Sequence, residues 1–249
     1  MPNVFPPPLT MAENMLSFYC NYIGERRDFP LKKHIVCLGD SNTHGYCADP
    51  ADCADGGIRF NEDERWTRLL QQKLGEEYLV VEEGLSGRTT CFTDPLHEGM
   101  SALDYITPCL KSHEFVDLLI IMLGTNDTKD RFAASAACIG IGMARLVKKA
   151  QATECWGDKK PNILVVSPPA IGEGMLESPV APTMGTGCVE KSRELAKYYR
   201  EQCDLIGAHF LDADTVGAAF NQVDYMHLTR AGHAALAAAL ADLVPQLVQ

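Results

Sequence analysis

No stretch of this 249-residue chain approaches eighteen consecutive apolar residues, and its first thirty residues lack a basic segment backed by an apolar run. Neither a membrane span nor a secretion signal is therefore expected, and the cytoplasm is the expected location. Positive charge is also short: 22 Lys and Arg stand against 33 Asp and Glu, a net charge of -11. That balance argues against nucleic acid or an anionic membrane as the main partner, since both select clustered Lys and Arg. The ten cysteines include no C-x-x-C pair and no tight zinc-ligand spacing. In a chain this long they are read as mainly buried free thiols, which suits a reducing compartment.

What is present is ordinary for a soluble globular protein: 46% hydrophobic and 22% charged residues. The length suits one α/β domain with a core that needs no staple. Short apolar or β-branched runs at His34–Leu38, Tyr78–Glu82, Val116–Leu123, Asn162–Ser167 and Ala208–Leu211 read as strands buried on both faces. Helical period appears around Trp66, Leu69, Leu70 and Leu74, then over Ala134–Ala150, Val189–Leu205, and from Thr229 as N-cap to Val244. This alternation predicts a doubly wound, five-stranded, mostly parallel sheet with helices on both faces, a flavodoxin-like three-layer sandwich. Residues 1–30 fall outside the pattern and read as an N-terminal extension, with 31–249 as the domain. Met15, Leu16, Tyr19, Cys20 and Ile23 can form one apolar helix stripe, docked on the domain or a second subunit; a frayed leader is the other reading.

Chemistry-bearing residues gather where these strands end, which is where parallel sheets bind ligands. The first strand runs into Gly39-Asp40-Ser41-Asn42-Thr43-His44-Gly45. Gly-Asp-Ser alone is weak, arising by chance in roughly one such chain in fifteen. The third strand ends in Gly124-Thr125-Asn126-Asp127, expected in about one chain in several hundred. Asn126 thus brings a side-chain amide to the same edge, the kind of donor an oxyanion needs. After the second strand, Gly84-Leu85-Ser86-Gly87-Arg88 permits close backbone approach. Asp224-Tyr225-Met226-His227 precedes the last helix and offers an imidazole with an orienting carboxylate. As a bare pattern, Asp-x-x-His occurs in about one chain in three. The conjunction, in the order Ser, Gly, Asn, His, carries the weight.

In those four blocks the chain resembles the SGNH (GDSL-type) hydrolase family, over about residues 34 to 247. "EEGLSGRTT" (Glu82–Thr90) and "IIMLGTNDTK" (Ile120–Lys129) look like its bacterial arylesterase and acyltransferase branch. The resemblance implies Ser41 as nucleophile, His227 as base and then acid, and Asp224 as the orienting carboxylate. It implies an oxyanion hole of the Ser41 and Gly87 backbone N–H groups and the Asn126 amide. No metal or organic cofactor is implied, and the expected partner is a small-molecule ester; a homo-oligomer is compatible with the branch. Asn42 stands where the family name has Leu, and His44 where related arylesterases often carry an aromatic. His44 is a rival base of poor geometry, only three residues from Ser41.

The expected activity is hydrolysis of short acyl esters, with acyl transfer to alcohols as an extension. A carbohydrate O-deacetylase using the same site is the runner-up, and thioesters rank lower. A non-catalytic anion-binding flavodoxin-like domain is the alternative of another class. Gly185–Ser192 mimics a P-loop, but Glu190 replaces the required glycine. His227 and His233 lack zincin spacing. Glu62-Asp63-Glu64 reads as a solvated helix start, and Pro168-Pro169 as a rigid turn or a rim of the acyl pocket.

Overall fold

The computed structural model describes residues 31–248, so the stripe expected over Met15–Ile23 lies outside the described residues. In chain order the domain runs β1 (Lys33–Gly39), α1 (Ser41–His44), α2 (Trp66–Leu74), β2 (Tyr78–Gly84) and α3 (Ala102–Ser112). It continues through β3 (Leu118–Met122), α4 (Ala136–Gln151), β4 (Ile163–Ser167), α5 (Ala181–Met184), α6 (Cys188–Ile206), β5 (His209–Asp212) and α7 (Arg230–Leu247). All five expected strands are present, in the order β2-β1-β3-β4-β5, and every pairing is parallel.

Period-two alternation sends neighbouring strand residues into two separate cores. Leu118 and Ile120 of β3 join Ile35 and Cys37 of β1 beneath α2 and α7, with Trp66, Leu70, Leu236 and Leu240. Leu119 and Ile121 face the other way, with Val36 and Leu38, against Ile106, Ile139, Leu146 and Leu195 of α3, α4 and α6. A sheet covered on both faces has no polar side. That is why its strands read as continuous apolar runs rather than alternating ones.

The helices start where local chemistry satisfies their first N–H groups. Ser135 caps α4 by accepting from the Cys138 N–H at 3.2 Å, and Thr229 caps α7 by accepting from Gly232 at 3.0 Å. The crossover helix α3 was not expected. Pro108 sits inside it and removes the bond that a residue there would make to Asp104, which masks an otherwise apolar face of Ala102, Ile106, Cys109 and Leu110. The acidic run before α2 is also a correction. Glu64 is buried, accepting from the Ala54 N–H at 2.9 Å and pairing with Arg230 at 2.7 Å, so only part of the run is solvated. No described helix is long and apolar enough to cross a membrane. The described cysteines are all free thiols, most of them buried.

The topology fixes where a site can form. Strand order reverses at β1, whose neighbours are β2 and β3, and a crevice opens above such a reversal. Gly39 pairs with both Gly84 and Met122, so the three strands end level and their following loops share one edge. Gly84 also has a packing duty. A Cβ there would overlap the backbone of Thr43 and His44, pushing α1 off the sheet. Gly84→Ala is expected to destabilise the protein by about 3 kcal/mol or more, read as a lower midpoint in urea unfolding.

Candidate active site

Ser41 owes its position to a forced turn. A Cβ on Gly39 would meet the Thr43 side chain and, at 2.9 Å, the Met122 carbonyl, so only glycine lets α1 fold this tightly onto the strand ends. Asp40 caps the single turn, its carboxylate accepting from the Asn42 N–H at 3.0 Å and its carbonyl from His44 at 2.8 Å. Gly45 ends the turn in the left-handed region, at φ 87°. Burial pushes the Asp40 carboxyl up to about 6, against the hydrogen bond from Asn42 and nearby positive charge.

His227 arrives on a loop braced from within. Asn221 donates through Nδ2 to Asp224 Oδ1 at 3.0 Å and to the His227 carbonyl at 2.8 Å. Asp224 Oδ1 also accepts from the N–H groups of Met226 and His227, both at 3.1 Å. Tyr225, between Asp224 and Met226, takes φ 62°, a conformation costly for a non-glycine residue and held by the surrounding bonds. Asn42 ties this loop to the serine turn: its Nδ2 donates to the Met226 carbonyl at 3.2 Å, and its Oδ1 accepts from Leu228 at 2.9 Å. At the position after Gly-Asp-Ser, the amide is therefore a clasp between two distant segments.

With both loops in place, His227 Nε2 lies 2.7 Å from Ser41 Oγ, and His227 Nδ1 lies 2.6 Å from Asp224 Oδ2. An ionised carboxylate only accepts, so Nδ1 must carry the proton and Nε2 is left to accept from the serine hydroxyl. Burial works to raise the Asp224 pKa. The hydrogen bond and charge of His227 and two backbone N–H donors outweigh it and hold the carboxyl down at about 2. The Tyr46 ring packs on the imidazole at 4.6 Å between centroids.

The expected oxyanion donors border the same space. Gly87 takes φ 91°, which strains any residue with a Cβ, and lines the cavity with Ser41 and Asn126. Among the described residues, neither the Ser41 nor the Gly87 N–H meets a protein acceptor. The Arg88 carbonyl orients the Asn126 amide, accepting from Nδ2 at 3.1 Å; the second N–H makes only a long 3.4 Å contact with Asp40. Arg88 in turn braces the loop, donating to the Gly39 carbonyl at 3.0 Å and to that of Glu83. Gly84 lies back against α1, as described, and is not part of the lining.

These groups open into a cavity of about 340 Å³ with apolar walls from Met100, Val180, Met184 and Met226. His44 and the Pro168-Pro169 pair do not line it; His44 lies near Arg59 and Arg65 instead. His233 is wholly buried and pushed down to about 3 by burial, its Nδ1 accepting from the Trp66 N–H at 3.2 Å. Sequence reasoning did not single out Tyr46, Met100, Lys129, Asn221 or the α5 wall. An Asn three residues before Asp224 was the one readable cue. Glu83, Cys109 and His113 place potential metal donors within 4.8 Å of one another, away from this cavity. Glu83 is already bonded there to the Tyr105 hydroxyl at 2.9 Å and to His113 at 2.7 Å.

The profile described as the GDSL-like lipase/acylhydrolase family matches residues 37–235. An aryl esterase from M. smegmatis is similar at 37% identity and a TM-score of 0.77, covering 86% of this chain and 99% of that one. A carbohydrate acetylesterase from Sinorhizobium meliloti is similar at 33% identity and a TM-score of 0.77, covering 87% and 100%. A lipase/acylhydrolase from Enterococcus faecalis, at 19% identity and a TM-score of 0.61 over 87% and 97%, shares the fold. No curated protein sequence matches the chain.

The Asp224 geometry has a measurable consequence. Its carboxyl is held at about 2 in the fold against an ordinary 3.8, so the ionised form favours the folded state. That stabilisation is complete above pH about 4 and is lost as pH falls towards about 2. Across that window the wild type is expected to lose about 2 kcal/mol more than Asp224→Asn does, read by urea unfolding at each pH.

Proposed function

The chain belongs to the GDSL-like lipase/acylhydrolase family, and on that premise we propose a serine esterase that hydrolyses short, acetyl-like acyl esters through an acyl-enzyme. Ser41 Oγ attacks the ester carbonyl while His227 Nε2 takes its proton, and Asp224 holds the ring and offsets the charge it gains. Negative charge on the former carbonyl oxygen is met by the N–H groups of Ser41 and Gly87 and by the Asn126 amide. The carbonyl re-forms, the ester C–O bond breaks, and His227 returns its proton to the leaving alcohol. Water, or a second alcohol, then attacks the acyl-enzyme with His227 again as base. The observation that carries this reading is the unbroken chain of bonds at 2.7 Å and 2.6 Å from Ser41 through His227 to Asp224, opening on free N–H donors.

The size of the cavity and its apolar wall suit a short acyl group. A carbohydrate O-deacetylase is the second reading, favoured by the likeness to the Sinorhizobium acetylesterase. The free thiols suit a reducing compartment such as the cytoplasm.

Ser41→Ala is expected to abolish both 4-nitrophenyl acetate hydrolysis and labelling by a fluorophosphonate, with an unchanged circular dichroism spectrum. Turnover at the wild-type rate in that variant would overturn the nucleophile assignment. Asn126→Ala is expected to lower kcat by roughly a hundredfold or more, about 3 kcal/mol of transition-state stabilisation. Higher kcat/KM on acetylated sugars than on aryl acetates selects the deacetylase reading.

A further inference from the structure

Lys129 is a largely buried residue whose ammonium makes no ion pair among the described residues. Its N–H closes the 3-10 turn Asn126–Thr128 by bonding to the Asn126 carbonyl at 3.3 Å. Side chains three apart in such a turn eclipse, so Lys129 and Asn126 enter the same cavity, beside Ser41. Only 8% of the residue is exposed. The nearby carboxylates are committed to other donors: Asp94 to Arg131 and the Leu96 N–H, Asp40 to Asn42, and Asp127 to Thr90. Among the described residues none comes within ion-pair range of the Lys129 ammonium, and Arg131 adds a like charge nearby. Burial, with Arg131, presses its pKa below the ordinary 10.5, against the pull of those three carboxylates.

An ammonium on the wall of a cavity, with no ion-pair partner of its own, attracts an anion, and a neutral acetyl group supplies none. The cavity lining combines Met100, Val180 and Met184 with Ser86, Thr125 and Thr183, whose hydroxyls carry no negative charge. The net charge of -11 repels anions at long range, so any preference for one has to arise inside the cavity. We propose that Lys129 is a specificity-determining residue that binds a carboxylate carried by the ester, so that anionic esters are preferred to neutral ones of the same shape. This rests on the serine-esterase reading and narrows its substrate class. The carboxylate belongs either to the acyl part, as in a half-ester of a short dicarboxylic acid, or to the alcohol part, as in an acetylated hydroxy acid.

Two ester pairs separate these sources, after subtraction of spontaneous hydrolysis. 4-Nitrophenyl hemisuccinate is compared with 4-nitrophenyl butyrate, and 4-acetoxybenzoate with phenyl acetate, on wild type, Lys129→Met and Lys129→Arg. In one pair the wild-type kcat/KM is expected to favour the anion by about tenfold or more, with Lys129→Met removing the preference chiefly through KM and Lys129→Arg keeping it. A wild-type ratio at or below one in both pairs, or a preference that survives Lys129→Met, overturns the proposal. Absence of turnover on all four esters, or turnover that survives Ser41→Ala, overturns the esterase reading instead. Binding then decides the role of Lys129: monomethyl succinate and methyl butyrate are titrated by NMR into folded Ser41→Ala protein. Tighter binding of the anion, lost when Lys129→Met is added, supports the role, and equal binding overturns it.

Discussion

One contact sets the terms for the rest of this molecule: the Ser41–His227 hydrogen bond, which closes only if residues 186 positions apart are held to within a few tenths of an ångström. Neither loop achieves this alone. The sheet levels the ends of β1, β2 and β3, Gly39 and Gly84 let α1 lie flat on that edge, and Asn42 clasps the histidine loop from beneath. Much of the fold at this end of the sheet serves to hold that one contact in place.

The electrostatics of the edge are divided by position. Asp224 collects a histidine and several N–H donors and stays ionised far into acid. Asp40 and Asp127 are fully buried, and burial raises both to about 6 despite their hydrogen-bond donors. Carboxylates at this end of the sheet therefore differ by several pKa units for a physical reason, the number and charge of their donors set against lost hydration. Lys129 is the counter-case, a cation whose neighbours are all engaged elsewhere.

Much of the architecture was legible because the chain repeats one signal. Runs of Val, Ile and Leu buried on both faces mark five strands, and Thr229 marks a helix start by side-chain chemistry, whereas the Ser135 cap one residue inside the expected start of α4 was found only in the structure. α3 was lost to Pro108, since a proline argues locally against a helix that tertiary packing of Ile106 and Leu110 sustains. Glu64 misled for a related reason: its acidic neighbours suggest solvent, while its partner Arg230 is far along the chain.

Composition and order along the chain determined that Ser41, Gly87, Asn126, Asp224 and His227 each sit at the mouth of a parallel sheet, because strand ends and loop motifs are local properties. Only the tertiary structure decided which of them touch, that Gly84 packs against α1, that His44 faces away, and that Asn42 clasps the loops. It also decided that Lys129 lines the same cavity as Ser41 with no ion-pair partner among the described residues. Those facts depend on the register between strands and the direction of side chains across the crevice, and a pairwise distance between remote residues is written in no single stretch of sequence.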